Sequence, residues 1–173
     1  QSSTVYLGHV ISEKGIQPEP AKLAAVEELE PPTDVKGIRM FLGFIGYYRK
    51  FVQNFSAVAK PLNELLRKNA PWNWGVEQQD AWEALRTALL KAPILQMPDC
   101  TKTFTIRTDA SYLGLGACLL QGEGDSRHPI AYASRSLKPA ETRYTATEIE
   151  CLGMKWAVNT FRTYIHGRRF IME

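Results

Sequence analysis

"FTIRTDASYLGLGACLLQ", Phe104 to Gln121, decides the fold. It alternates apolar and polar residues as a half-buried strand does, then sets Asp109 where the strand runs into a glycine-containing turn. Over residues 33–92 the apolar spacing is helical, and from Ala92-Pro93 onward it is two, so a helical unit gives way to a sheet. Asp109 is then a turn-former or a charge kept for chemistry, and a lone carboxylate needs partners.

Downstream, "TKTFTIRTDA", "LGLGACLLQ" and "HPIAYASRSL" read as three strands joined at Ser111-Tyr112 and through "GEGDSR", which predicts an antiparallel meander. A long helix is expected from about Glu141 to Tyr164, and "RRFIME" begins another strand. A sheet followed by a helix and a further strand is an α/β unit with one helix laid on the sheet.

Upstream, "TVYLGHVISEKGI" alternates Val5, Leu7, His9 and Ile11 and turns at Lys14-Gly15, as a strand and hairpin would. "PEPAKLAAVEEL" has helical spacing at Leu23, Val26 and Leu29 and stops at "PPT", because proline removes a donor and disfavours helix before it. Thr33 or Asp34 caps the next helix, which carries Ile38, Phe41, Leu42, Ile45 and Tyr48 or Arg49 at intervals of three and four. Gly43 and Gly46 weaken that helix and permit close approach. A further capped helix is expected from Ser56, and then one with Ala81, Trp82, Leu85 and Leu89 as its buried stripe. The expected fold class is α+β in parts: a β-hairpin, an all-helical unit, then an incomplete α/β unit of antiparallel strands plus one long helix.

Composition narrows the function classes. The 173 residues, 45% hydrophobic, suffice for one substantial core or two small ones without disulfides. Apolar runs are too short and too charged to span a membrane, and the N-terminus lacks the order of a signal peptide, so an intracellular, unsecreted protein is expected. Cys100, Cys118 and Cys151 are odd in number and form no CxxC pair, which argues against a disulfide framework or zinc knuckle. The absence of an initial Met, and an end at Glu173 inside a strand, suggest a piece of something longer. A sheet cut there keeps an unpaired edge, open to dimerisation.

Charge is uneven. Residues 1–30 are net −3, whereas Lys36 to Lys68 are net +6, although the whole chain is only +3. In "RMFLGFIGYYRKF" the basic residues are interleaved with aromatics, a pattern that suits phosphates and stacked bases as well as it suits a solvated helical face.

The long helix offers two carboxylates. Glu148 falls in line with Lys155, Asn159 and Arg162, a polar stripe, whereas Glu150 falls in line with Ala146, Gly153 and Ala157, all small. Small residues let a helix sit close to a sheet, so Glu150 is placed on a packed face where a charge needs a partner. Two partners are open at this point. One is a salt bridge to Arg107 or Arg135, and the other is a divalent cation shared with Asp109.

"YLGHVIS", "GIRMFLGFIGYYRKFVQNFS", "WNWGVEQQDAWEALRTALLKAPIL", "FTIRTDAS", "HPIAYASRSL" and "YTATEIECLGMKWAVNTFRTYIHGRRF" resemble, in order and over nearly the whole chain, the Pol polyprotein of gypsy-class long-terminal-repeat retrotransposons. The resemblance implies the end of a reverse transcriptase palm at residues 1–30, a helical thumb at 31–92, and the N-terminal, truncated part of an RNase H domain at 93–173. It implies a primer grip at Tyr6, Leu7, Gly8 and His9, where the residues alone suggest for His9 only a surface position on a hairpin. It implies a thumb helix on the nucleic-acid minor groove, with Gly43 and Gly46 allowing approach and Arg39, Tyr47, Tyr48, Arg49 and Lys50 contacting phosphates or stacking. Packing between helices is the plainer reading for at least one of the tyrosines, and Leu42, Phe44 and Ile45 read as core.

Asp109 and Glu150 become two of the metal-binding, catalytic carboxylates for Mg2+ or Mn2+, a third being expected in a Thr-Asp-His context just past Glu173, which is not itself a ligand. The implied partners are an RNA–DNA hybrid, the template–primer duplex and the rest of the polyprotein, with no membrane. These residues alone are expected to be inactive, because the polymerase carboxylates and part of the RNase H set lie elsewhere. The alternatives are a non-catalytic nucleic-acid-binding module and a host-captured protein-interaction module.

Overall fold

The computed structural model describes residues 3–173. It begins with a three-stranded antiparallel sheet, β1 (Ser3–Tyr6), β2 (His9–Ser12) and β3 (Gly15–Pro18). The expected continuous alternation from Val5 to Ile11 is interrupted. Leu7 and Gly8 both have positive φ, 47° and 74°, and form the two-residue turn that pairs Tyr6 with His9. Such turns match the twist of a hairpin, which is why a glycine sits there.

Five helices follow: α1 (Pro20–Glu27), α2 (Val35–Tyr47), α3 (Phe55–Val58), α4 (Lys60–Glu64) and α5 (Val76–Leu90). Asp34 caps α2, its Oδ1 accepting from Gly37 N–H at 2.6 Å. The face Ile38, Phe41, Ile45 is buried against Trp82, Leu85 and Leu89 of α5, with Leu42 and Phe44 packed at the margin. The helix expected from Ser56 starts instead at Phe55 after a left-handed Asn54, and Ser56 is buried. This core is tied back to the first sheet by Ile16 and Leu95, whose backbones exchange hydrogen bonds of 2.7 and 2.9 Å.

The second sheet has the order β6-β5-β4-β7, formed by β4 (Phe104–Ser111), β5 (Gly114–Gln121), β6 (His128–Arg135) and β7 (Phe170–Met172). The meander is as expected, with its first turn at Tyr112 and Leu113 rather than at Ser111. β7 pairs parallel to β4, Phe104 opposite Phe170. The expected helix from Glu141 to Tyr164 divides into a 3-10 turn at Glu141–Arg143, α6 (Ala146–Thr160) and α7 (Arg162–Ile165). Thr145 ends the shorter element early by capping α6.

Ile149, Gly153 and Ala157 of α6 face the sheet, and a Cβ on Gly153 would stand 2.8 Å from that of Ala110. β5 is buried along its whole length, because α6 lies on one side and α3 on the other. Half-burial, the expectation for this stretch, holds only for β4, whose Arg107, Asp109 and Ser111 reach solvent.

Arg135 and Glu141 form the least exposed ion pair among the described residues, at 2.6 and 3.0 Å, and Glu141 also accepts from Lys138 N–H at 2.7 Å. The Arg135 hydrogen bonds above all hold the Glu141 carboxyl below its ordinary pKa of 4.5. A depressed folded value makes this contribution full above that pH and lost as pH falls through the folded value. In urea unfolding across pH 6 to 3, the stability gap between the native sequence and Glu141→Gln is expected to narrow below pH 4.5.

Candidate nucleic-acid interface and metal-binding carboxylates

The Leu7–Gly8 turn rests on the C-terminal end of α2. Tyr47 donates its hydroxyl to Leu7 O at 2.6 Å and Tyr48 to Gly8 O at 3.0 Å. Both hydroxyls hold backbone of the hairpin, and they differ in access: Tyr48 is 2% exposed and Tyr47 54%. Helix packing, anticipated for at least one of the pair, describes Tyr48.

His9 is buried, not the surface residue that its hairpin position suggested. Its ring packs on Phe51, Tyr48 and Tyr47 with centroids 5.7, 5.3 and 5.4 Å away. Nδ1 lies 2.9 Å from Leu7 O, so the proton sits there and Nε2 is a buried acceptor without a partner. Burial, reinforced by the Lys50 ammonium, lowers the His9 pKa against the opposing pull of Leu7 O, and the ring is neutral near pH 7.

Of the other residues expected to meet nucleic acid, Tyr6 and Arg39 are exposed. A Cβ at Gly43 or Gly46 would meet nothing within 4 Å, so no packing within the chain explains either glycine. Mid-helix glycine costs about 1 kcal/mol relative to alanine. Lys50 lies over Phe51 at 5.2 Å, and burial lowers its pKa. Arg49 donates to Ser134 O of β6 at 2.5 Å.

Asp109 is exposed near the end of β4, and its Oδ2 accepts from Asn54 Nδ2 at 2.6 Å. Glu150 is exposed in the first turns of α6, one turn before the Gly153 contact with Ala110. The premise that placed Glu150 on the packed face therefore fails: Ile149 takes the inward position and Glu150 flanks it. The salt-bridge alternative fails too. Arg107 pairs with Glu173 at 3.1 Å and Arg135 with Glu141 at 2.6 Å.

Glu148, expected to be a solvated charge, accepts from Thr145 N–H at 2.8 Å in a capping box, which lowers its pKa. Thr145 and Glu148 have the Ser/Thr-x-x-Glu spacing, a sequence signal that identifies this role. Glu173 is held between Arg107 and Arg127, chiefly Arg127, which lowers its pKa. Asp109 and Glu150 are hard oxygen donors of the kind that suits Mg2+ or Mn2+. Among the described residues no three His, Cys, Asp or Glu side chains converge tightly enough to hold an ion by themselves.

Sequence pattern does not single out Asn54. Its signal in the sequence was only its place before a short helix, and its partner lies 55 positions away.

A family model for the RNase H-like domain found in reverse transcriptase matches residues 74–172, a stretch that takes in α5 as well as the second sheet. The chain is 43% identical over 168 residues to the retrovirus-related Pol polyprotein from transposon 297 of Drosophila melanogaster, and 36% identical over 183 residues to that from transposon gypsy of the same organism. These alignments cover 96% and 99% of the chain but 16% and 17% of the polyproteins, so the chain spans a small part of these relatives' length.

Two solved structures share the fold. One is a foamy viral protease-reverse transcriptase dRH in complex with double-stranded DNA, with TM-score 0.83 and 24% identity over 99% of the chain and 30% of that protein. The other is the foamy viral protease-reverse transcriptase in complex with an RNA/DNA hybrid, with TM-score 0.79 and 23% identity over 98% of the chain and 23% of that protein.

Replacing Tyr48 by Phe removes one donor to Gly8 O, which still accepts from Glu19 N–H at 3.0 Å. The expected loss in urea unfolding is about 0.5–1 kcal/mol. Gly8→Ala is expected to cost more, since its φ is 74° and a Cβ would stand 2.7 Å from the Tyr48 hydroxyl.

Proposed function

Because the chain belongs to the RNase H-like domain family found in reverse transcriptase, we propose that it is the stretch of a gypsy-class Pol polyprotein that joins the polymerase to its nuclease. In this reading residues 1–30 end the palm with the primer grip, residues 31–92 are the thumb, and residues 93–173 open the RNase H domain. The boundary at Ala92-Pro93 is supported by α5, whose buried stripe packs into the helical core rather than onto the second sheet. The partners are a template–primer duplex and an RNA–DNA hybrid, together with the remainder of the polyprotein.

On the thumb, the open face of Gly43 and Gly46 admits the duplex, and Arg39 meets phosphate. Tyr6 and Lys50 are assigned to the same nucleic-acid surface. Tyr47 and Tyr48 serve it by holding the Leu7–Gly8 turn, with His9 packed beneath as an uncharged wedge. Arg49 contributes by fixing the thumb to the sheet.

On the nuclease, Asp109 and Glu150 supply carboxylate oxygens to divalent ions. Bound there, Mg2+ or Mn2+ would activate the attacking water and stabilise the leaving oxygen during hydrolysis of the RNA strand. The observation that supports this reading is that β4, β7 and α6 meet at one end of the sheet, with Asp109 turned to the α3 side of that end and Glu150 on the α6 side. Gly153 brings α6 against Ala110, and the β4–β7 register continues through Thr108 N–H to Glu173 O. A strand that kept this register past Glu173 would bring its second residue beside Asp109. An aspartate there, as in the Thr-Asp-His context expected from the resemblance, supplies a third carboxylate.

The test uses full-length Pol polypeptide carrying this segment. Asp109→Asn and Glu150→Gln are each expected to abolish hybrid cleavage while primer extension stays near the native rate; retained cleavage refutes the assignment. Residues 1–173 alone are expected to show no robust Mg2+-dependent cleavage. Arg39→Ala is expected to weaken binding to hybrids of any sequence and to lower the salt slope of log K by about 1, measured by anisotropy titration over a range of salt.

A further inference from the structure

Asn54 belongs to the helical half, yet its side chain lies on the sheet. It precedes α3 with left-handed φ of 52°, a conformation asparagine tolerates better than most residues. An asparagine beside a helix start ordinarily turns its carbonyl oxygen onto a free N–H of the first turn. Here no such bond forms, and Nδ2 donates instead to Oδ2 of Asp109 at 2.6 Å.

Space for that amide comes from Gly116, which stands opposite Asp109 in the β4–β5 ladder. A Cβ on Gly116 would overlap Asn54 Oδ1. Gly116 has no left-handed backbone to accommodate, so its missing side chain serves the amide rather than the chain path. Docking of the two halves has its own contacts: Arg49 to Ser134 O, Ser56 N–H to Ser134 Oγ at 2.9 Å, and Ser134 Oγ to Ser56 Oγ at 3.1 Å. Asn54, Asp109, Ser111, Gly116 and Ser134 share a cleft of about 100 Å3 where these contacts end and solvent begins.

We propose that Asn54 is a positioning residue for the Asp109 carboxylate: its amide holds Oδ2 and thereby orients the group, leaving the other oxygen free. This rests on the reading of Asp109 as a metal ligand. Partners of metal-binding carboxylates commonly control affinity, and their loss costs roughly ten- to a hundredfold. The segment that follows the duplex-gripping helix thus sets the aim of the nuclease carboxylate.

Fe2+ serves as the local probe, in full-length Pol polypeptide with ascorbate and without nucleic acid. The readout is the Fe2+ concentration giving half-maximal chain scission beside Asp109. Asn54→Ala is expected to raise it roughly tenfold, and Gly116→Ala to do the same by displacing the amide. The double variant is expected to be no worse than Asn54→Ala, because both changes remove one contact. Ser56→Ala, which loosens docking away from the carboxylate, is expected to leave the value within about twofold.

Asp109→Asn must abolish scission at this place. If it does and Asn54→Ala changes nothing, the positioning role is refuted while the metal-ligand reading stands. If Asp109→Asn leaves scission intact, the metal-ligand reading fails and takes the inference with it. Additive losses in the double variant, or a Ser56→Ala effect as large as that of Asn54→Ala, would reduce Asn54 to a docking contact.

Discussion

Ser134 lies on β6 with both its hydroxyl and its carbonyl turned to the helical half, and it is buried. A buried hydroxyl and an interior carbonyl contact must both find partners, since leaving one unmade costs about 1–3 kcal/mol. Ser56 and Arg49 supply those partners from the segment after α2. Through them α3 is laid on β5 and β6 and the central strand is covered on its second face, while Asn54 reaches over Gly116 to Asp109 by a hydrogen bond of its own.

A second junction joins the first sheet to the helices. Tyr47 and Tyr48 bond consecutive carbonyls of one turn, while His9 fills the space beneath them against Phe51. Aromatic residues suit this joint because one end of each ring packs and the hydroxyl still reaches backbone. Together the two junctions give the helical core an attachment to each sheet, one through the Leu7–Gly8 turn and the other through Ser134 and Asp109.

Much of this architecture was legible beforehand, for local reasons. The stripe Ala81, Trp82, Leu85, Leu89 buried as its spacing required, Asp34 capped α2, and the three antiparallel strands fell where period-two alternation put them. The misreadings came where local pattern and global environment diverged. Leu7 fitted an apolar strand position but lies in a tight turn, because the following glycine made the chain reverse there. Glu150 shares an angular sector with small residues, yet Ile149 has more surface to bury and takes the inward place. Ser56 looked like a helix cap and is a buried hydroxyl, because its partner comes from β6, 78 positions away.

By itself the sequence determined element types, the change from helical to strand period near Pro93, the uneven charge, and a motif order that identifies the family. Those features depend on neighbours within a few residues, or on residue identity alone. Only tertiary structure decided that β5 is covered on both faces, that Arg107 and Arg135 are committed to Glu173 and Glu141, and that Asn54 reaches Asp109. Each of these joins residues that no helical or strand period relates, and their pairing follows from which strands, turns and helices the fold sets side by side.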